Sequence, residues 1–498
     1  MAIELSAVRL IAPWFGTSQA VWTSAIGAVL VALTCGYLVG ARWARSPRPE
    51  RVLSACLWFS AAWAVALPSF APWLASTLVP DSASLEQIAQ ALPLTSLACS
   101  LCLFFPPAAL LATAGPLVVE VVSRRASASA GEAGGQVLAC STLGSIVGTF
   151  GTTYISIPVF GVKGALLLAA ALICLGALLA SITGRQHVAA VLALGFSLTG
   201  SKASTASPDV IALAESPYQQ VRVVQRVDGW RSLEVNEQRG SFQSVWAPTE
   251  GLLGPGYYYD LFALAPAWAA PRHQWRTLIL GQGAGTAVRV LEGTLPEGVQ
   301  LETCGVELDP MVIELAREHM GLAVGRSDRR SLGGWDARLA LKALTAAGER
   351  WDHVIVDTYA NQVEIPAHLV TDNFFYAITE ALDREGWLQV NVGGGGVDDP
   401  VVLAIGATMA GVFGRPTLAL EVPFSRNVIL TQRPEGAIPD PTQDHFSSLV
   451  GELSALARRV SLPGTWAWID HEDGELLRDQ RAPLESLQRQ SLKLMGAE

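Results

Sequence analysis

The sequence predicts an α-helical multi-pass membrane domain followed by a soluble α/β domain that begins with a small β-rich subdomain. Of its 498 residues, 50% are hydrophobic and only 16% are charged, whereas soluble proteins carry about 25% charged residues. The charges are unevenly distributed: residues 1–200 hold nine basic and six acidic residues, and residues 201–498 hold 25 and 38. The apolar content excludes a disordered or collagen-like chain. The acidic pI near 5.3 argues against nucleic acid as a partner.

Five apolar stretches are long enough to cross a bilayer, which takes about 20 residues per helix. They are residues 18–40, 52–79, 91–113, 135–158 and 161–182. Two shorter stretches, 5–15 and 188–199, either lie at the membrane interface or span it, and hydropathy leaves both possibilities open. The chain begins without the basic segment of a typical cleavable signal peptide.

Arginines predict the orientation of these spans. They occur in alternate loops, and the positive-inside rule places those loops in the cytoplasm. The arginines are Arg42, Arg45, Arg48 and Arg51, then Arg124 and Arg125, then Arg185. The soluble domain is therefore cytoplasmic if residues 188–199 do not cross, and external if they do. We predict a multi-pass protein of the cell inner membrane.

Two features inside the third stretch concern helix packing. Cys99 and Cys102 lie one helical turn apart in apolar sequence without a second cysteine pair or a histidine cluster, so we predict packing residues and no metal site. Pro106 and Pro107 predict a bent helix.

The soluble part is predicted to contain two domains. After a membrane domain with its linker at 1–204, two strands joined by a short turn indicate a β-rich subdomain at 205–270. From residue 271 to 498, strand-like apolar runs alternate with helical segments, which predicts a parallel sheet covered by helices on both faces.

A glycine-rich turn follows the first of these strands. Gly281, Gly283 and Gly285 would allow a nucleoside to approach the backbone closely. This pattern alone is weak, because many turns contain alternating glycines.

Acidic residues follow the next strands and strengthen the interpretation. Glu307 could accept hydrogen bonds from ribose hydroxyls, Asp336 before Ala337 could accept one from an adenine amino group, and Asp357 closes an apolar strand. Each acid could instead be a helix cap or a loop residue. Their occurrence at successive strand ends favours a nucleoside site in a Rossmann-like domain, and the absence of a GxGxxG motif favours an adenosyl ligand over a dinucleotide.

The sequence also resembles a known family. The matching segments of the soluble part are SPYQQVRV (216–223), YYYDLFALAPAW (257–268), LILGQGAG (278–285), GVELDPMVIELAR (305–317), DARLAL (336–341) and VDTYANQVEIPAHLVT (356–371). Through them, residues 205–490 resemble the spermidine synthases, or polyamine aminopropyltransferases. Residues 2–160 resemble the membrane segment of membrane-fused members through AVRLIAPWFGTS, GYLVGARWA and CSTLGSIVGTF, and LRDQRAPLE (477–485) resembles the terminal motif of such fusions.

This resemblance implies transfer of an aminopropyl group from decarboxylated S-adenosylmethionine, or a related reaction of S-adenosylmethionine itself, without a metal. It implies Asp357 as general base. Tyr359, in the loop after Asp357, is the second predicted catalytic residue, and it either stacks on the adenine or the bound amine or forms a wall of the pocket. Further implied roles are nucleoside binding by Gln219, Glu307, Asp336, Ala337 and the three glycines, and acceptor binding by Tyr259, Asp260 and Glu364. Because S-adenosylmethionine is a cytosolic metabolite, the resemblance also favours a cytoplasmic soluble domain. Members of the family commonly form oligomers, so the resemblance further suggests a homodimer.

Three positions depart from the family pattern. Ala284 and Ala360 stand where the family has aspartates, and Tyr259 stands where it has a histidine. Since a polyamine needs carboxylates to replace its hydration, these departures argue against putrescine and leave a small-molecule or membrane-associated amine as acceptor. Methyl transfer, a lyase reaction and a non-catalytic nucleoside sensor remain alternatives. For His368, in the same loop as Tyr359, a structural or positioning role is favoured over acid–base catalysis.

Overall fold

The computed structural model describes residues 1–15, 19–78, 85–126, 129–180, 209–216, 218–235, 243–323, 325, 327–359 and 365–494. Its contacts divide these residues into two units. The N-terminal unit contains the helices up to residue 180 together with segment 215–220, and the C-terminal unit contains 209–214, 221–235 and the described residues from 243 onward. Residues 188–199, one of the two ambiguous apolar stretches, lie outside the described residues.

Apolar α-helices build the N-terminal unit. They are α1 (Ala2–Phe15), α2 (Gln19–Trp43), α3 (Pro49–Leu78), α4 (Leu85–Ala112), α5 (Ala114–Ala126), α6 (Ala130–Gly151) and α7 (Ile157–Ala180), with a π-helical turn at Thr152–Ser156 between the last two. The predicted short stretch 5–15 thus lies within a helix of 14 residues.

Four helical segments among the described residues are long and apolar enough to cross a membrane, which supports a membrane protein. These segments are Val21–Trp43, Pro49–Leu78, Leu94–Arg125 and Val159–Ala180, and each overlaps a predicted span. The fifth predicted span, 135–158, forms α6 and the π-helical turn but is not among the four. Glycine, serine and threonine dilute its apolar residues and lower its hydropathy.

Prolines in α4 create a specific contact with α3. A proline at 107 has no N–H for the carbonyl of Leu103 four residues earlier. The indole Nε1 of Trp63 donates to that carbonyl at 2.9 Å instead. Ser60 Oγ donates to the carbonyl of Pro107 at 3.2 Å. Side chains of α3 therefore satisfy backbone groups of α4, as a proline-containing helix in lipid requires.

Segment 215–220 is held within the N-terminal unit by two polar contacts. Gly161 interrupts α7 with a φ of 69°, and the backbone N–H of Val162 beyond it donates to Glu215 Oε2 at 2.7 Å. The guanidinium of Arg9 donates to the carbonyl of Ser216 at 2.7 Å.

Two sheets organise the C-terminal part of the chain. The first has four strands in the order β1 (Val210–Glu215), β2 (Gln220–Gln225), β3 (Arg231–Val235) and β4 (Ser244–Trp246). The second has eight strands, numbered along the chain as β5 (Gln274–Leu280), β6 (Gln300–Glu307), β7 (Arg329–Gly333), β8 (Trp351–Val356), β9 (Leu382–Gly393), β10 (Thr417–Glu421), β11 (Asn427–Gln432) and β12 (Trp466–Ile469).

The spatial order of the larger sheet is β12-β10-β11-β9-β8-β5-β6-β7. The five strands from β9 to β7 are parallel, while β11 is antiparallel to β9 and β10 is antiparallel to β11. In the parallel part the chain first winds outward from β5 through β6 to β7 and then returns to the other side of β5 with β8. This reversal is the Rossmann-like topology, and ligands bind such sheets outside the carboxyl ends of the strands at the switch point.

Helices cover both faces of this sheet. They are α8 (Leu264–Trp268), α9 (Thr286–Thr294), α10 (Pro310–His319), α11 (Ala337–Ala346), α12 (Asp372–Ala381), α13 (Pro400–Phe413), α14 (Asp444–Ser447), α15 (Gly451–Val460) and α16 (Leu484–Leu494), with 3₁₀-helices at Tyr258–Ala263 and Ala367–Leu369. Leu341 of α11 and Phe374 of α12 are buried in one core, and Phe262 and Leu456 are buried in the other. The sequence starts α10 with Asp309 as the N-cap, whose carboxylate accepts from the N–H of Met311. The prediction of an α-helical domain, a small β-subdomain and a Rossmann-like domain is confirmed.

Candidate active site

The turn after β5 brings its backbone close to the end of β8. Gly281 has a φ of 86°, and a Cβ there would collide with the backbone carbonyl of Asp357. A Cβ at Gly283, whose φ is 54°, would collide with the side chain of Ser244. Only glycine permits this turn, which lies at the switch point between β5 and β8.

Every N–H group of the turn from 281 to 285 already has an acceptor within the protein. The acceptors are the carbonyls of Val306 and Gln282, the carboxylate of Glu307 and the hydroxyl of Ser244. A phosphate-binding turn leaves such groups free for phosphate oxygens. This turn is therefore suited to a ligand that approaches it without a phosphate.

Glu307, at the end of β6, is linked directly to the glycine turn. Its Oε2 accepts from the N–H of Gly283 at 3.0 Å, and its Oε1 accepts from the N–H of Asp309 at 3.1 Å. Burial raises the pKa of Glu307 to about 7, although these backbone donors oppose the rise. Each carboxylate oxygen can accept a further hydrogen bond, so two hydroxyl groups of one ligand can be held together.

Asp336 caps α11 and faces a histidine. Its Oδ1 accepts from the N–H groups of Arg338 and Leu339, and its Oδ2 lies 2.9 Å from Nε2 of His368. Burial alone would raise the pKa of Asp336, but the hydrogen bonds from His368, Leu339 and Arg338 hold it below its ordinary value. Ala337, the next residue, is buried against the core.

Exposed apolar side chains flank these two acids. Leu308 follows Glu307, Trp335 precedes Asp336, and both are exposed. The carbonyl of Glu307 accepts the N–H of Gly334 at 2.9 Å, so the ends of β6 and β7 run side by side. An apolar edge next to two acceptors fits a flat heterocycle with polar substituents.

Asp357 lies directly after β8 and is held from two sides. Tyr258 Oη donates to its Oδ2 at 2.9 Å, and the side-chain amide of Asn391 donates to its Oδ1 at 2.8 Å. Burial raises the pKa of Asp357 to about 6, and the two side-chain donors limit this rise. Asp357 is thus a half-buried carboxylate with an elevated affinity for protons.

The 3₁₀-helix at Tyr258–Ala263 decides which tyrosine meets Asp357. Tyr258 donates to the carboxylate, whereas the Tyr259 hydroxyl donates to the carbonyl of Gln243 at 2.6 Å. The two rings stack with their centroids 4.0 Å apart. Tyr259, the residue suggested by the resemblance, therefore supports the position of Tyr258 through ring packing.

Asp260 is buried beneath a neighbouring loop. Its two oxygens accept from the N–H groups of Leu253 and Gly254 at 2.8 and 2.9 Å. Burial raises the pKa of Asp260 to about 6, against the effect of these two hydrogen bonds. The predicted acceptor-binding acid is thus engaged with the backbone of the 253–254 loop.

Tyr359 anchors the chain after Asp357 to β9. Its hydroxyl donates to the carbonyl of Asn391 at 3.2 Å and accepts from the N–H of Gly393. Burial, followed by the nearby charge of Asp357, raises the pKa of Tyr359. The hydroxyl group is therefore neutral and already paired.

Two predicted site residues lie outside the described part of the C-terminal unit. Gln219 belongs to the N-terminal unit, where its N–H donates to Ser216 Oγ at 3.0 Å. Glu364 lies outside the described residues, as does Ala360. Their roles stay predictions.

Sequence reasoning missed Tyr258 and Asn391. A signal existed for Asn391, because Gln389 and Asn391 are polar residues inside the otherwise apolar strand LQVNV. For Tyr258 no signal was available, since three tyrosines follow one another from 257 to 259.

A C-terminal segment, residues 477–481, which we call the strap, contacts the start of α11 next to Asp336. Arg478 and Arg481 pair across a tight turn whose first residue is Asp479. The carboxylate of Asp479 accepts two hydrogen bonds from the Arg338 guanidinium, at 2.8 and 2.7 Å, and one from Thr371 Oγ1 at 2.6 Å. Arg338, foremost among these donors, lowers the pKa of Asp479.

No protein-family model matches the chain, and no curated protein matches it. Among solved structures, it is similar to a probable spermidine synthase from Corynebacterium glutamicum, with 19% identity over 54% of this chain and 96% of that one and a TM-score of 0.42. It is also similar to spermidine synthase from Thermotoga maritima, with 18% identity, coverage of 52% and 84% and a TM-score of 0.39. Human methyltransferase-like protein 13 in complex with SAH shows 20% identity, coverage of 41% and 89% and a TM-score of 0.31.

Proposed function

We propose that this protein is a membrane-anchored transferase that moves an aminopropyl group from decarboxylated S-adenosylmethionine, or the corresponding group from S-adenosylmethionine, to an amine and releases methylthioadenosine. The observation that carries the proposal is Asp357. It is a carboxylate with a raised pKa, oriented by two side chains at the switch point of the sheet, and this is where such a reaction needs a proton acceptor.

The donor would bind along the ends of β5, β6 and β7. The two oxygens of Glu307 would accept from the ribose hydroxyls, and Asp336 would accept from the adenine amino group. Leu308 and Trp335 would contact the faces or edge of the ring. Because the N–H groups of the glycine turn are all paired, this site favours a nucleoside without phosphates.

For this reaction the protein has two tasks: to position the amine in line with the sulfonium carbon and to accept a proton. The lone pair of the neutral amine attacks the carbon next to the sulfonium, a C–N bond forms, and the C–S bond breaks with its electron pair passing to sulfur. The product sulfur is a neutral thioether, and the proton lost by the nitrogen passes to Asp357. A pKa of about 6 keeps Asp357 mostly ionised at neutral pH, yet basic enough to receive that proton.

The occupied state of Asp260 bears on the acceptor. A polyamine carries a second ammonium that needs a carboxylate partner, but Asp260 is only 2% exposed, and both of its oxygens face backbone N–H groups inside the protein. This supports an acceptor other than putrescine. We place the enzymatic half in the cytoplasm, where S-adenosylmethionine is made, and the membrane helices then serve as its anchor.

The engagement of Asp260 with the backbone also favours a second candidate reaction, the intramolecular breakdown of S-adenosylmethionine. In that reaction the donor's own carboxylate displaces the thioether, so neither an acceptor pocket nor a base is needed. Asp357 would then have no proton to accept.

Product analysis tests the proposal. The detergent-solubilised full-length protein is incubated with each donor, with and without a panel of amines, and the products are read by mass spectrometry. Methylthioadenosine that appears together with an enlarged amine is the expected result. Methylthioadenosine formed from S-adenosylmethionine without any amine would support the lyase, and S-adenosylhomocysteine would indicate methyl transfer.

A further inference from the structure

A chain of hydrogen bonds connects Asp357 to the loop between β10 and β11. Asn391 donates to Asp357 Oδ1 at 2.8 Å, Asn427 donates to Asn391 Oδ1 at 2.9 Å, and Ser425 Oγ donates to Asn427 Oδ1 at 2.6 Å. Asn391 is buried, while Asn427 and Ser425 are half-buried. The three links therefore run from the sheet edge toward the surface.

The direction of this chain follows from its inner end. An ionised carboxylate can only accept, so Asn391 must turn its NH₂ group toward Asp357 and its oxygen toward Asn427. Asn427 must then donate to that oxygen and present its own oxygen to the hydroxyl of Ser425. All three dipoles point the same way, and aligned hydrogen bonds strengthen one another.

We propose that Asn427 and Ser425 are positioning residues for the base: they hold the Asn391 amide with its N–H toward Asp357 and thereby set the proton affinity of the carboxylate. This inference rests on the proposed role of Asp357, but it concerns side chains on β11 and its preceding loop to which no role was assigned. Without Asn427, the Asn391 amide loses the partner of its oxygen and can rotate. Its oxygen would then face the carboxylate and disfavour the ionised form.

The other groups that face Asp357 act on it independently of this hydrogen-bond chain. Tyr258 donates to the second carboxylate oxygen, and Tyr259 and Tyr359 lie close enough for their own pKa values to be raised by its charge. All three are neutral at physiological pH. Among the residues that the structure describes, burial and the hydrogen bonds from Asn391 and Tyr258 account for the shift of the Asp357 pKa, and no nearby charge adds to it.

The test measures the pKa of Asp357 directly, by an infrared titration of its carboxyl group in the solubilised full-length protein. The band is assigned by its loss in Asp357→Asn. In Asn427→Leu we expect this pKa to rise by roughly half a unit, less than the loss of a direct bond to the carboxylate would cause. In Ser425→Ala we expect a smaller rise. If turnover is present, the acidic limb of the pH profile of kcat/KM moves in the same direction.

Thr431→Val is the matched control. Thr431 is buried on the same strand and the same face as Asn427, four residues away, and its hydroxyl has no hydrogen-bond partner. Its substitution should leave the Asp357 titration unchanged. The inference is overturned if the Asn427 and Ser425 variants titrate like wild type. Ser425 lies at the outer end of the hydrogen-bond chain, so Ser425→Ala still tests the inference if the Asn427 variant does not fold. The titration needs no substrate, so a failure of the proposed transfer reaction would be seen separately.

Discussion

Two carboxylates in the C-terminal unit, the buried Asp260 and the half-buried Asp357, have the same raised pKa for the same main reason but different partners. Burial raises the pKa of both Asp357 and Asp260 to about 6. Asp260 accepts from two backbone N–H groups of the 253–254 loop. Asp357 accepts from the side chains of Tyr258 and Asn391 at the end of a central parallel strand.

The type of hydrogen-bond donor, backbone or side chain, distinguishes the structural carboxylate Asp260 from the proposed catalytic carboxylate Asp357. Backbone donors tie Asp260 to loop geometry, and its removal would leave those donors unsatisfied. Side-chain donors instead orient Asp357 toward the edge of the sheet and can be changed without altering the backbone. A raised pKa alone would not distinguish the two residues.

Replacing Asp357 gives the largest expected effect. Asp357→Asn removes the proton acceptor while preserving shape, and we expect kcat to fall about 100-fold or more. Thermal stability should be unchanged or slightly higher, because a buried charge is lost. Methylthioadenosine release, followed by chromatography, measures the rate. Full turnover in this variant would show that Asp357 is not the base.

The pH dependence should follow the same residue. Protonation of Asp357 below pH 6 removes the base, so kcat/KM should fall about tenfold for each unit below that value. Glu307, with a pKa of about 7, should broaden the fall, because its protonated form is a poorer acceptor for ribose hydroxyls. Initial rates between pH 5 and 8 give the profile. A flat profile over this range would contradict both assignments.

Tyr258→Phe should have a moderate effect. Loss of one hydrogen bond to the carboxylate raises the pKa of Asp357, and we expect kcat to fall roughly tenfold at neutral pH. Tyr259→Phe is the control, because that hydroxyl bonds the carbonyl of Gln243 and not the carboxylate. Equal rate losses in both variants would mean that the tyrosines act only by packing.

The strand-end acids could be predicted from the sequence because parallel strands place their carboxyl ends at one edge. Glu307 ends β6, Asp336 comes three residues after β7 and Asp357 directly follows β8, so the structure places all three at that edge. Which tyrosine meets Asp357 could not be predicted, since the choice between Tyr258 and Tyr259 depends on a short 3₁₀-helix in a run of identical residues.

The partners of Asp260 were equally hidden from the sequence. They are backbone N–H groups of Leu253 and Gly254, which have no side-chain signature, so the matching family position was the only guide to Asp260.

The helical stretch at 135–158 shows a similar limit of sequence-based prediction in the N-terminal unit. Its apolar residues predicted a span, but Gly144, Gly148 and the nearby hydroxyl residues lower its hydropathy.

Asp260→Asn tests whether Asp260 has the structural role that distinguishes it from Asp357. An amide presents one acceptor oxygen where the carboxylate presents two, so one N–H of the 253–254 loop loses its partner. We expect the unfolding free energy to fall by about 1–2 kcal/mol with kcat nearly unchanged. Denaturant unfolding and initial rates measure the two quantities. A large loss of kcat in a stable variant would return Asp260 to the acceptor site.

The smallest effect is expected at the strap. Asp479→Asn weakens the hold on Arg338, which flanks the N-cap Asp336, and we expect the KM for the donor to rise a few-fold with kcat unchanged. Glu472→Gln is the control, because Glu472 is exposed and lies beside His471, outside the strap. A loss of kcat without a change in KM would show that the strap does not act on donor binding.

The central claim is that Asp357 accepts a proton during transfer from an adenosyl sulfonium. The most direct test is mass spectrometry of products formed by the wild type, Asp357→Asn and Asp260→Asn proteins from decarboxylated S-adenosylmethionine and a set of amines. We expect methylthioadenosine and an aminopropylated amine from the wild type and from Asp260→Asn, and neither from Asp357→Asn. Equal product from all three proteins, or none from a wild type that binds the donor, would contradict the account.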